Sequence, residues 1–170
     1  MSRRRTTIIA AALAATLALA LGAATASADS QRALAVKVTM TGDQEVFGGA
    51  NPCAPPTVCG DPDATGTAKI QIVPALDRVC FRLEWSGIDG SVWGAHIHGP
   101  ATTQQAAPIR VPFLMRTPGA ADNLAGTDSL SGCISSPEWA DAIAADPSSF
   151  YVNVHSTVYG PGAIRAQLSD

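Results

Sequence analysis

Residues 78–85 read RVCFRLEW. Val79, Phe81, Leu83 and Trp85 alternate with Cys80, Arg82 and Glu84. A two-residue period places apolar side chains on one face and polar ones on the other, the pattern of a β-strand lying on a core. The same period recurs along the chain. In ALAVKVTMT (33–41) it sets Leu34, Val36, Val38 and Met40 on one side, and in TGTAKIQIV (65–73) Ala68, Ile70 and Ile72. VWGAHIH (92–98), PIRVPFLM (108–115), TDSLSGCIS (127–135), FYVNVH (150–155) and GAIRAQL (162–168) complete the set of expected strands. Pro112 lacks an N–H and marks its strand as an edge or a bulged one.

The periodicity changes once. Ser136 is placed to cap a helix, with Pro137 at its first position and Glu138 in its first turn. Trp139 and Ile143 would share its buried face, and Pro147 would end it. Residues 42–64 carry four prolines and four glycines and read as a long ordered loop. Many short strands, Gly/Pro turns and one short helix predict an all-β fold, an antiparallel Greek-key-like β-sandwich or barrel.

Residues 1–28 have the make-up of a secretory signal peptide. Arg3, Arg4 and Arg5 precede an apolar run, and Ala26-Ser27-Ala28 forms a small-residue cleavage site. Cleavage after Ala28 would leave 29–170 as a single domain. Of eleven basic residues, three fall in the leader, so eight would face fourteen acidic ones, a net charge of −6 with His neutral. That balance, without a basic patch, argues against nucleic acid as a partner. No second apolar run is long enough to span a membrane. Four cysteines in an exported chain predict two disulfides. Three pairings are open, and Cys53–Cys59 with Cys80–Cys133 is the favoured one, the first clipping the proline-rich loop.

Strand parity sorts the polar residues. His96 and His98 lie opposite Trp93, Ala95 and Ile97. Tyr151, Asn153 and His155 lie opposite Val152 and Val154, and Arg165 and Gln167 opposite Ile164, Ala166 and Leu168. The last two strands are close enough in sequence to form a hairpin, which would bring Asn153, His155, Arg165 and Gln167 onto one surface.

The segments TGDQEV, ATGTAKI, GAHIHGPA, YVNVHS and GAIRAQL together resemble the CHRD (chordin-domain) family over about residues 39–168. The resemblance implies an extracellular all-β module, found singly in exported bacterial proteins and repeated in chordins. The cysteine-containing GGANPCAPPTVCGDPD departs from the usual shorter loop.

Three readings of the histidines stay open. His96, His98 and His155 suit one copper or zinc ion as a three-nitrogen set. Alternatively, Glu45, His96, His98, Asn153, His155 and Arg165, with Gln167 beside them, form a structural polar network or a surface for an extracellular protein or cell-wall ligand. Glu84 is a further candidate partner for the imidazoles. Three histidines are too few for the full site of the copper-zinc superoxide dismutases, whose His-x-His strand GAHIHG is similar to. No Ser elbow, nucleophile–base spacing or phosphate loop appears, so the expected role is non-catalytic and without a cofactor, the metal reading being the alternative. Asp61 and Asp63 fall short of a calcium loop. Trp85, Trp93, Phe81 and Trp139 are expected in the core, and Tyr159 at the surface.

Overall fold

In the computed structural model, residues 32–47, 51–52, 59–121 and 123–169 are described. The expected signal peptide and Cys53 lie outside the described residues. The strands are β1 (Leu34–Thr41), β2 (Val46–Phe47), β3 (Asn51–Pro52), β4 (Thr65–Val73), β5 (Arg78–Ser86), β6 (Val92–His98), β7 (Ile109–Met115), β8 (Ser129–Ser135), β9 (Tyr151–Ser156) and β10 (Ile164–Gln167). One short α-helix, α1, spans Ala140–Ala145. Each long alternating segment of the sequence is a strand, within two residues at either end.

Eight strands form one antiparallel sheet in the order β7-β6-β9-β10-β1-β4-β5-β8, and β2 pairs with β3 apart from it. The two end strands, β7 and β8, approach each other, so the sheet curls into a nearly closed barrel. This is the antiparallel, Greek-key-like fold expected from the sequence, in its barrel form. Val36, Val38, Met40, Ile70, Ile72, Val79, Leu83, Ile97, Val152 and Ile164 line the interior. The rings of Phe81 on β5 and Phe113 on β7 stack across it with centroids 3.9 Å apart. Each fully buried aliphatic of this kind contributes about 1.5–3 kcal/mol. The α1 helix adds Ala140 and Ile143 to the same core.

Two local features differ from the sequence reading. The helix begins at Ala140, and Ser136 makes no side-chain cap. Ser136 is instead buried, its N–H bonded to Asp77 O and its carbonyl accepting from Trp139 and Ala140. Trp93 is not in the core. The β6–β9 register slips between Val92 and Gly94, so Val92 takes the interior position and Trp93 is half-buried. Pro112 does what its missing N–H predicts: β7 ends the sheet, and its pairing with β6 is bulged beside Pro112.

Burial separates the two sides of the barrel. β1, β4 and β5 bury one face and expose the other. Every residue of β9 and β10 is buried, and so is β6 apart from Trp93. The polar side of these three strands is covered by the chain's own loops. Gly60 N donates to Gly42 O at 3.2 Å, and Asp61 N to Ala163 O at 2.8 Å, which holds 42–45 and 59–61 against the start of β10. The buried Asp61 carboxylate accepts from the N–H groups of Asp63 and Asp89. Backbone donors therefore occupy the acid that a calcium reading would need.

Cys80 and Cys133 face each other in the β5–β8 ladder and are bonded, as favoured from sequence. Cys59 is also disulfide-bonded; the expected Cys53–Cys59 pairing lies outside the described residues. Among the described residues no helix is long and apolar enough to cross a membrane. Replacing Cys80 and Cys133 together by alanine should lower the unfolding free energy by about 2–4 kcal/mol. Urea melts followed by tryptophan fluorescence measure it, and an unchanged midpoint would contradict a stabilising role for the bond.

Candidate metal centre

His96 and His98 come from β6, and His155 comes from β9. The pairing of these two strands sets Gly94 opposite His155, His96 opposite Asn153 and His98 opposite Tyr151. The adjacency that sequence left open is thus direct hydrogen-bonded pairing. All three imidazoles project to the polar side of the sheet and are buried, at 0, 8 and 7% exposure for His96, His98 and His155. One ring nitrogen from each lies within 4.8 Å of the others. Ligand nitrogens about 2.0–2.1 Å from one ion stand about 3.4 Å apart, so small side-chain rotations bring the set onto a single ion.

Two of the rings are oriented from outside the cluster. His98 Nδ1 is 2.8 Å from Ala107 O, and His155 Nδ1 is 2.9 Å from Gly160 O. A carbonyl accepts only, so each Nδ1 carries the proton and each Nε2 keeps a free lone pair, the tautomer a metal ligand needs. The Nε2 atoms of His98 and His155, and both nitrogens of His96, have no hydrogen-bond partner. The Leu114 backbone favours protonated His96 and is the smallest of the influences on it. Neither Glu45 nor Arg165 occupies an imidazole nitrogen.

Burial is the main cause of a lowered pKa in all three. It takes His96 to about 3, with the charges of His155 and His98 adding to the effect. It takes His98 to about 4, opposed by the Ala107 bond and reinforced by His155 and Arg165. His155 is shifted the same way, against the pull of Gly160. At neutral pH the cluster is a set of uncharged bases.

The surrounding residues fix this arrangement. His96 folds back over Gly94, where a Cβ would stand 2.9 Å from His96 Cε1. A glycine inside a strand signals close approach, and this one makes room for the ring. Trp93, re-aimed by its bulge, lies 5.1 Å from the His155 ring and donates its indole N–H to Ser156 O. Tyr151 stacks on His98 with centroids 4.9 Å apart and an interplanar angle of 2°. The Arg165 guanidinium lies 3.5 Å from the Tyr151 ring centroid, and Arg165 itself is buried. It donates to Gln105 O and Thr102 O at 3.0 Å and to Gln167 Oε1 at 3.3 Å. Gln167 Nε2 donates to Ala101 O and Ser148 O. Together they pin the 99–108 loop, whose Ala107 carbonyl orients His98.

Glu45, in the covering loop, accepts from Asn153 Nδ2 at 3.1 Å. Burial raises its pKa to about 8, against the opposing pull of Arg165 and Asn153. Its carboxyl packs on Gly162, where no Cβ would fit. The expected set is hydrogen-bonded only in part: Asn153 bonds Glu45 and Arg165 bonds Gln167, while no histidine bonds any of them. It is sealed beneath the chain's own loops and does not lie on an open surface. Glu84 is outside it, exposed and paired with Arg82 at 2.7 Å. Sequence reasoning did not identify Gly94, Tyr151 and Trp93 as parts of the site. Tyr151 had the parity of His155, and Gly94 the signature of a glycine in a strand.

The pKa shifts act on stability in opposite directions. His96 and His98 contribute stability that is present above their unfolded pKa of about 6.5 and is lost as pH falls toward 3–4, and the lowered His155 acts in the same direction. The raised Glu45 contributes stability that is present below about 4.5 and is lost as pH rises through about 8. Three groups outweigh one between these ranges, so the metal-free protein should be most stable near pH 6.5. Thermal melts from pH 4 to 9 check this. Glu45→Gln should remove the decline between about 6.5 and 8 and leave the acid-side decline in place.

No curated protein matches the chain, and no solved structure does. The CHRD domain family matches residues 36–168, from within β1 to just past β10 and including all three histidines. The chain belongs to the CHRD-domain family.

Proposed function

We propose that this chain is an exported, non-catalytic binding module whose ligand is one copper or zinc ion, held by His96, His98 and His155. The observation that carries this reading is the set of unpartnered imidazole nitrogens, buried and within 4.8 Å of one another. A buried polar atom without a partner costs about 1–3 kcal/mol, and a bound ion removes that cost. Three neutral imidazoles from two paired strands are a donor set that copper and zinc accept. The Nδ1–carbonyl bonds of His98 and His155 supply the outer support that such ligands use.

Glu45, Asn153, Arg165 and Gln167 are buried and bond the chain's own loops and one another, with Glu45 Oε1 and Asn153 Oδ1 left without a partner. They position the covering segments and are not offered to a protein or cell-wall ligand. Export is supported by the leader-like residues 1–28 and by the Cys80–Cys133 bond, which suits an oxidising compartment.

The test is metal content. Protein loaded separately with copper and with zinc, then desalted, should retain about one ion of at least one of them per chain by elemental analysis, and a His96/His98/His155 triple alanine variant none. Gly94→Ala, which displaces the His96 ring, should weaken retention on the order of 10–100-fold. Melting curves establish that the variants are folded. Wild-type protein that emerges without either ion, or a folded triple variant that keeps as much, would defeat the proposal.

A further inference from the structure

Resting on the metal reading above, we infer that the ion this site selects is monovalent copper, Cu(I). The donor set is the first reason. Among the described residues no carboxylate or cysteine joins the three histidines in the cluster. A structural zinc site takes four ligands, and an open one needs water or substrate in the fourth position. The three rings are buried, with Trp93 5.1 Å from the His155 ring and Tyr151 stacked on His98. A d10 cuprous ion is satisfied by three nitrogens.

Charge is the second reason. Arg165 is 1% exposed, and its hydrogen-bond partners are two carbonyls and an amide oxygen, with the Tyr151 ring beneath it. No carboxylate bonds it, and its charge is felt at His98. The buried Glu45 carboxyl and Arg165 influence each other, but no anion stands among the three ligands to offset an added cation. The desolvation cost of an ion grows with the square of its charge, so a divalent ion costs about four times as much as a monovalent one here.

Softness at the rim is the third. Met115 pairs directly with Gly94, shares the face of the imidazoles and is 57% exposed. A thioether is a soft donor that favours Cu(I). The other methionine of the domain, Met40, is in the core. Among the described residues there is no free cysteine to compete for the ion.

The experiment is a pair of competition titrations on the metal-free protein. Cu(I) is delivered as its acetonitrile complex, without oxygen or thiols, against the chromogenic chelator bicinchoninate. Zn(II) is titrated against a zinc indicator in the same buffer. One Cu(I) per chain is expected, bound at least about 100-fold more tightly than Zn(II). His155→Ala and His96→Gln, each shown to be folded by its melting curve, should each weaken Cu(I) at least about tenfold. Zinc bound as tightly as Cu(I), or more tightly, would overturn the cuprous assignment and leave the metal reading standing. Failure to bind either ion would overturn both.

Discussion

Strand β9 is buried on both faces, and the rest of the molecule is arranged around that constraint. Its apolar side, Val152 and Val154, belongs to the barrel core. Its polar side, Tyr151, Asn153 and His155, is equally hidden. A strand in that position must satisfy polar side chains away from water. It sits between β6 and β10, so partners come from three adjacent strands and the loops that cover them. The ladder row His96–Asn153–Arg165–Thr41 shows the result: the polar residues of neighbouring strands stand side by side because antiparallel register aligns them.

The covering loops are the price of that burial, and they are tied to the strands they cover. Arg165 and Gln167 reach Ala101, Thr102 and Gln105, and Asn153 reaches Glu45. The stack of His98, Tyr151 and Arg165 continues the same connection through ring faces. Arg165 has no bonded counter-ion, and its donors end on neutral oxygens. Neutral acceptors and an aromatic face hold a guanidinium in place with strict direction, so the loop that orients His98 is located by geometry more than by charge pairing. Of the buried side-chain atoms without partners among the described residues, four are imidazole nitrogens. The other two are Glu45 Oε1 and Asn153 Oδ1.

The strands were legible because alternation is a local property. RVCFRLEW and TGTAKIQIV point their apolar residues inward for the same reason that their polar residues point out. Parity also placed the histidines opposite the apolar faces, together with Asn153, Arg165 and Gln167. Two local readings failed for tertiary reasons. Trp93 had core parity, but the bulge at the start of β6 gave the interior position to Val92. Ser136 had the form of a helix cap, but its backbone is drawn to Asp77 at the end of the β4–β5 turn. Glu84 has the same acidic chemistry as Glu45, and the two differ only in what covers them.

The sequence by itself determined which residues form strands, which side of each strand is apolar, the family to which the chain belongs, and that three histidines share the polar side. These follow from the two-residue period of extended backbone and from motifs contained in short segments. The tertiary structure decided that β6 pairs with β9, that segments 42–45, 59–61 and 99–108 bury the polar side, and that Ala107 and Gly160 set the tautomers of His98 and His155. Those outcomes depend on contacts between segments far apart in the chain. Burial, protonation state and the convergence of three nitrogens are properties of such contacts, and strand periodicity carries no information about them.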